Sequence, residues 1–204
     1  MKRSVYFLAL ITLSSCGTYR YFEPSPNAAL FEDAGEAHIS GDIGSSGASA
    51  KVAVSLPKNI AIAGMYTSHF ANYRVKEGEV GIGYYSNAEP SGVFVMGGLG
   101  FGSNFAYTDS TESVKDYKGE FYRPFVQLNG GVVGGNIMGP LSGDVIYVLK
   151  ASYLIYNGRH LDGSNDKITS DYVFLEPGVV VGLGIKTVRF NMAMTLELRT
   201  RVVL

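Results

Sequence analysis

The feature that most constrains the fold is a run near the C-terminus in which apolar and polar residues alternate, KTVRFNMAMTLELRTRVV over residues 186–203. One face carries only apolar side chains, namely Val188, Phe190, Met192, Met194, Leu196 and Leu198. The other face carries mainly polar ones, namely Arg189, Asn191, Thr195, Glu197, Arg199 and Arg201. A period of two residues is that of a β-strand. The run is longer than the usual globular strand of about 5–6 residues and suits the tilted strand of about 9–11 residues that crosses a bilayer.

The N-terminus has the layout of a bacterial export signal. Two basic residues, Lys2 and Arg3, precede a short apolar stretch over 4–13, and small residues follow before Cys16. This order of charged, apolar and small segments is typical of a cleaved signal peptide, and the apolar stretch is too short to span a membrane as a helix. We therefore predict a signal peptide over 1–15, a tether over 16–35 and a single β domain over 36–204.

The residues around the predicted cleavage site resemble a lipoprotein signal. The sequence Leu13-Ser14-Ser15-Cys16 is similar to a bacterial lipobox, which implies cleavage before Cys16 and attachment of acyl chains such as palmitate to that cysteine. Gly17 resembles the outer-membrane class of lipoproteins, because aspartate at that position is the usual inner-membrane retention signal. Cys16 is the only cysteine, so no disulfide can form within one molecule. The alternative is an ordinary secretory signal that happens to contain one cysteine.

Composition favours an all-β chain and gives no sign of a nucleic-acid partner. The net charge is −1, so no strong electrostatic field attracts polyanions. Charged residues make up 17% of the chain, below the roughly 25% of soluble domains, while 26 glycines and 14 tyrosines are present. Tryptophan is absent, so tyrosine would have to form the aromatic girdles that membrane barrels carry at both interfaces.

Alternating segments along the chain predict about nine strands. Short connections at 57–59, 87–91 and 184–186 alternate with long polar ones at 68–78, 103–119 and 157–169. Short turns at one end and long loops at the other are typical of outer-membrane barrels. We predict an all-β, antiparallel up-and-down β-barrel of eight to ten strands. Pro124 and Pro177 fall inside predicted strands, and we expect bulges or strand ends there.

Residues 36–204 resemble the small outer-membrane β-barrel superfamily, in particular lipid-anchored barrels of unknown function from Gram-negative bacteria. The stretches GEAHISG (35–41), EVGIGYY (79–85) and FLEPG (174–178) carry this resemblance. It implies a location in the cell outer membrane, a lipid anchor and a barrel wall in contact with membrane lipid. It implies no catalytic residue, cofactor or metal.

Alternation alone does not say whether the apolar faces point toward lipid or into a barrel. Bulky apolar faces at 145–155 and 188–198, opposite faces rich in small residues, and charges of both signs on those opposite faces favour lipid outside. The charges are Lys51, Lys150, Glu176, Arg189, Glu197 and Arg199. Opposite charges in a narrow interior must pair to offset desolvation, so we predict an interior polar network of Glu176, Arg189, Glu197 and Arg199. The alternative places these residues on the wetted outside of a soluble barrel.

Little in the sequence indicates chemistry. His38, His69 and His160 show no metal-ligand spacing. Ser68-His69 and Asp162-Gly163-Ser164 supply the residue types of a hydrolase triad without fixing their geometry.

Three functions stay open at this point. The first is a non-enzymatic, lipid-anchored outer-membrane barrel with a structural or surface-interaction role, in which loops 68–78, 103–119 and 157–169 would contact a protein or glycan. The second is a periplasm-facing lipoprotein barrel that binds a lipid or another hydrophobic small molecule. The third is a lipid-modifying hydrolase. A hollow apolar interior would mark the second, and a converged serine, histidine and acid would mark the third.

Overall fold

The structure, a computed structural model, describes residues 27–43, 47–69, 73–88, 91–106, 117–138, 141–160, 167–185, 188–195 and 198–202. The strands are β1 Ala37–Ile43, β2 Gly47–Leu56, β3 Ile60–His69, β4 Tyr73–Ala88, β5 Ser91–Ala106, β6 Tyr117–Met138, β7 Leu141–His160, β8 Lys167–Ile185, β9 Val188–Thr195 and β10 Leu198–Val202. A short 3-10 turn, Pro57–Asn59, joins β2 to β3. No helix in the described part of the chain is long and apolar enough to cross a membrane.

All strands belong to one antiparallel sheet. Strands β1 to β8 pair in sequence order, and β9 and β10 both pair with β8. The sheet is curled into a half-barrel. The predicted all-β, up-and-down antiparallel architecture of eight to ten strands is therefore confirmed. Within the described ranges no pairing joins β1 to β9 or β10.

Two prolines lie inside strands without shifting the register of pairing. Pro177 of β8 pairs with Leu149 of β7, and on the other side of β8 the strands β9 and β10 share one register, with Gly178 opposite Thr195 and Leu175 opposite Leu198. The pairing of β6 with β7 stops at Tyr122 and resumes at Phe125, skipping Arg123 and Pro124. Proline has no N–H to donate to a ladder. The expected bulges or strand ends at Pro124 and Pro177 are therefore wrong, because both prolines lie inside strands: β6 has a gap in its pairing with β7 at Pro124, and Pro177 stays in register with β7.

The long connections predicted from polarity are shorter than expected. Ladder pairing extends through 68–69 and 73–78, through 103–106 and 117–119, and through 157–160 and 167–169. The predicted loops 68–78, 103–119 and 157–169 are thus wrong in their bounds. The reason is that polar residues continue the strand alternation: Val75 and Glu77 are buried, whereas Arg74 and Lys76 are exposed. The intervals 70–72, 107–116 and 161–166 lie outside the described residues.

The two faces of the sheet differ sharply. On the convex face, bulky apolar side chains are exposed, among them Val80, Ile82, Leu99, Val126, Tyr147, Leu175 and Leu183. On the concave face, buried side chains form two apolar clusters, one around Phe94 and the other around Phe174. Charged and amide side chains are buried on the same concave face.

Candidate functional site

Five ionisable side chains from four strands meet on the concave face and form what we call the interior charge cluster. They are Glu77 and Glu79 of β4, Arg123 of β6, Lys150 of β7 and Glu176 of β8. All five are buried, and the side chains of Arg123 and Lys150 are 0% exposed. Each occupies an inward position of a strand whose neighbouring residues point outward.

Arg123 is the centre of the cluster. Its Nη2 lies 2.8 Å from Glu77 Oε1 and also binds Glu79 Oε1, while its Nη1 lies 3.2 Å from Glu176 Oε1. The planar guanidinium presents several N–H donors in a fixed fork, which suits binding to more than one carboxylate. One side chain therefore links β4, β6 and β8 across the inside of the sheet.

Lys150 completes the cluster from the next strand. Its Nζ lies 2.6 Å from Glu79 Oε1 and 4.0 Å from Glu176 Oε2, and it sits 4.7 Å from the ring centroid of Phe125. The hydroxyl of Ser152 donates a hydrogen bond to Glu176 Oε1 at 3.1 Å. The aromatic face and the carboxylates share the ammonium charge, so the lysine is compensated despite its complete burial.

Glycines in β5 make these contacts geometrically feasible. Strand β5 lies between β4 and β6, and Gly100 is paired with both Glu79 and Arg123. A Cβ at Gly100 would lie 3.1 Å from Glu77 Oε1 and 3.3 Å from Arg123 Cβ. A side chain there would crowd the space through which the β4 carboxylates reach the β6 guanidinium. The glycines of the GGLGFG stretch at 97–102 thus leave room for the interior side chains of the neighbouring strands.

The predicted interior network overlaps this cluster only in part. Glu176 lies in it, as does Lys150, while Lys51 is buried elsewhere and pairs with Asp42 at 2.6 Å. Glu197 lies outside the described residues, and so do the side chains of Arg189 and Arg199. Sequence reasoning missed Arg123, Glu77 and Glu79. Strand alternation is the sequence signal that could have revealed them, because each of the three lies between two residues that point outward.

The segment 27–31, which we call the internal plug, packs against the concave face. The backbone carbonyl of Asn27 accepts hydrogen bonds from Gln127 Nε2 at 2.8 Å and Asn129 Nδ2 at 3.0 Å, and Asn129 also donates to the Ala29 carbonyl at 3.0 Å. Phe31 is 2% exposed and packs edge-on against Phe94 at 5.5 Å between ring centroids. The end of the predicted tether thus fills the interior; residues 16–26, including Cys16, lie outside the described part.

The convex face carries an apolar band of constant height. Its outward positions run from Tyr122 to Val132 on β6, from Val145 to Ile155 on β7 and from Val173 to Leu183 on β8. Each range matches the roughly 9–11 residues of a bilayer-crossing strand. With the rise of about 3.4 Å per residue and the tilt of about 40° that strands of outer-membrane barrels have, a band of this length would be about 26 Å high, close to the lipid-facing band of those barrels.

Aromatic residues mark one edge of this outer apolar band. Tyr66, Phe101 and Tyr122 lie on one lateral row of the sheet, joined through Gly78, and each is about half exposed. A Cβ at Gly78 would lie 3.1 Å from the ring of Phe101, which covers this glycine. Amphipathic tyrosines at such an edge suit the boundary between hydrocarbon and water.

The residues considered for catalysis or metal binding do not converge in the described part of the chain. His38 Nε2 lies 3.4 Å from Glu36 Oε2, and Ser68 and His69 end β3, whereas Asp162 and Ser164 lie outside the described residues. Within the described ranges no group of three potential ligands could hold a metal ion.

Comparison with protein-family models, with curated proteins and with solved structures finds no match. The fold and the geometry of this chain are therefore the basis for a functional proposal.

Proposed function

We propose that this protein is a non-enzymatic, lipid-anchored β-barrel of the Gram-negative outer membrane, with a structural or surface-interaction role. The observation that carries the proposal is the outer apolar band, whose height and aromatic edge suit a lipid bilayer. The interior charge cluster supports it, because an inward polar face and an outward apolar face are the arrangement of membrane barrels.

Two alternatives have less support. A soluble barrel that binds a hydrophobic ligand needs an apolar cavity and a polar outer wall. On the described concave face, buried charges and the internal plug occupy the space that such a ligand would need. A lipid-modifying hydrolase needs a nucleophile, a base and an orienting acid within hydrogen-bond reach, and no observation favours that arrangement here. The surface role would fall to the connections between β3 and β4, between β5 and β6, and between β7 and β8, whose intervals 70–72, 107–116 and 161–166 lie outside the described residues.

A charge placed in the middle of the outer apolar band tests whether the band faces lipid. Val126 is 59% exposed at an outward position of β6. In a bilayer, Val126→Arg is expected to lower the free energy of unfolding by about 2–4 kcal/mol, because arginine near the midplane is poorly solvated. In a water-exposed wall the same change would cost about 0.5 kcal/mol or less. Urea unfolding in phospholipid vesicles measures the difference.

The matched control is Glu120→Arg, an outward position of the same strand beyond the aromatic edge. It is expected to change the free energy of unfolding by about 1 kcal/mol or less, since charges near the interface are tolerated. Equal, small effects of the two substitutions would contradict a lipid-facing wall.

Removal of the predicted lipid anchor distinguishes a barrel that is embedded in the bilayer from a protein that only its lipid holds at the membrane. A Cys16→Ala variant, exported with a cleavable signal peptide, is expected to stay in the membrane pellet after alkaline carbonate washing, because the strands themselves cross the bilayer. The unchanged protein is the control for total expression and export. Release of the variant into the supernatant would mean that the lipid was the only anchor, and the proposal of an embedded barrel would then fail.

A further inference from the structure

Cations form a lateral row on the convex face, just beyond the aromatic edge of the outer apolar band. Lys118 of β6 pairs with Arg159 of β7, and Arg159 pairs with Lys167 of β8. In the other direction, Lys118 pairs with Phe105 of β5, which pairs with Arg74 of β4. The row therefore contains four cations and one aromatic ring, and all four cationic side chains are exposed.

Direct pairing brings these like charges close together. Residues directly opposite on antiparallel strands have Cα atoms about 4.5–5.5 Å apart, so Lys118, Arg159 and Lys167 span about 10 Å across three strands. Like charges at directly opposed positions destabilise a sheet. Within the described residues, no salt bridge or hydrogen bond of the folded chain uses any of these three side chains. The row thus carries a repulsion that a bound anion would relieve.

The three cations also line an open groove of about 430 Å³, together with Glu120, Asn157, Thr169 and the backbone of Gly119 and Gly158. Among the described residues of this lining Glu120 is the one carboxylate, and Lys76, on the same lateral row as Glu120, adds a further exposed cation. The groove is therefore basic, with neutral hydrogen-bonding groups beside the charges. This combination suits phosphate oxygens, which accept from ammonium, guanidinium and amide donors.

The position of the groove along the membrane normal indicates which kind of molecule would supply the phosphate. Lys118 lies four residues from Tyr122, about 13 Å along the strand and about 10 Å along the membrane normal for a tilt of about 40°. The headgroup layer begins at the aromatic edge, and long basic side chains reach back toward it. A phosphate held there would belong to a lipid whose acyl chains lie along the outer apolar band directly below.

We propose that Lys118, Arg159 and Lys167 form a binding site for the phosphate of an anionic membrane lipid, whose acyl chains pack on the neighbouring apolar wall. The site rests on the proposed function, because it needs the convex face to lie in a bilayer. It adds a ligand class to that function: the barrel would select phosphate-bearing lipids from its surroundings rather than contact all lipids equally.

Native mass spectrometry of the full chain in a non-ionic detergent tests the site. Dioleoyl phosphatidic acid and dioleoyl phosphatidylcholine, which share their acyl chains, serve as probes. The unchanged protein is expected to retain phosphatidic acid at least about tenfold more tightly. The triple variant Lys118→Gln, Arg159→Gln, Lys167→Gln should lose that preference, whereas Lys58→Gln, an exposed cation in the turn at the opposite end, should keep it. Glu120→Gln should strengthen it by about twofold or more, because it removes the carboxylate of the groove.

Two further measurements use the unchanged protein. Raising ammonium acetate from about 0.05 to 0.5 M should reduce the preference of the unchanged protein by about fivefold or more, since exposed charges are screened. Inorganic phosphate at about 10 mM should leave most of the phosphatidic acid bound, because it lacks the acyl chains. Equal retention of both lipids, a triple variant with unchanged preference, a preference insensitive to salt, or full displacement by inorganic phosphate would each overturn the inference. Membrane retention of the Cys16→Ala variant is measured separately, so failure of the lipid site and failure of the embedded barrel give different results.

Discussion

Replacing Arg123 with methionine is expected to lower the free energy of unfolding by about 3–5 kcal/mol, the cost of removing one partner from a buried ion pair. Methionine keeps much of the volume of arginine but leaves Glu77, Glu79 and Glu176 with Lys150 as the remaining cation of the interior charge cluster. Urea unfolding of the refolded protein in detergent micelles measures the loss. The same substitution at exposed Arg159 should change the free energy by about 0.5 kcal/mol or less.

Two variants distinguish charge compensation from simple packing at this position. Arg123→Lys keeps the positive charge but lacks the forked N–H donors of the guanidinium. We therefore expect it to lower the free energy of unfolding by less than Arg123→Met does. Adding Glu79→Gln to Arg123→Met removes one of the three carboxylates that then share the single cation Lys150, so it should recover part of the lost stability and give a non-additive double-mutant cycle. If Arg123→Met costs less than about 1 kcal/mol, or if Glu79→Gln adds its full cost to that of Arg123→Met, the buried pairing described above is not present in the folded protein.

Replacing Phe31 with alanine is expected to cost about 3–5 kcal/mol of unfolding free energy, the usual range for truncating a buried phenylalanine. Its ring packs against Tyr85 at 5.3 Å, Phe94 at 5.5 Å and the imidazole of His38 at 5.1 Å between centroids. The loss should appear together with faster amide hydrogen exchange over 27–31, because this contact holds the internal plug against the concave face. Urea unfolding and hydrogen exchange of the same samples are the measurements.

Asp33→Ala is the control in the same stretch of chain. Its side chain is exposed and its hydrogen bonds within the described part of the chain use backbone atoms, so the change should cost about 0.5 kcal/mol or less. Asn129→Ala should loosen the plug through a different contact, because it removes the donor to the carbonyls of Asn27 and Ala29. Unchanged exchange over 27–31 in both Phe31→Ala and Asn129→Ala would show that this segment is not held by the interior in solution.

The wall of the molecule could be predicted from its sequence because strand alternation is a local property. A two-residue period fixes which side chains share a face, and the runs at 145–155 and 173–183 are long enough to give the strands and their order. Polarity alone places the strand ends too early, because polar residues also occur inside strands. Glu77 is charged and yet buried inside β4, where only a tertiary partner makes that position tolerable.

The interior could not be predicted in the same way, because its contacts join distant parts of the chain. Arg123 meets Glu79 and Glu176 across 44 and 53 residues. Their convergence depends on the register of the five strands β4 to β8 and on the absence of a side chain at Gly100. Alternation assigns each residue to a face but not to a height on that face. Glu176 could therefore be predicted to face the interior, whereas its partners could not be identified.

The hydrogen bonds of the internal plug also imply an order of assembly. Each strand from β1 to β8 pairs with its neighbour in sequence, so the wall can grow by short loop closures. Asn27, in contrast, binds Gln127 and Asn129 on β6, about a hundred residues later in the chain. Those bonds cannot form until β6 has formed, so the earliest described residues in sequence complete their contacts only when a strand about a hundred residues later is in place.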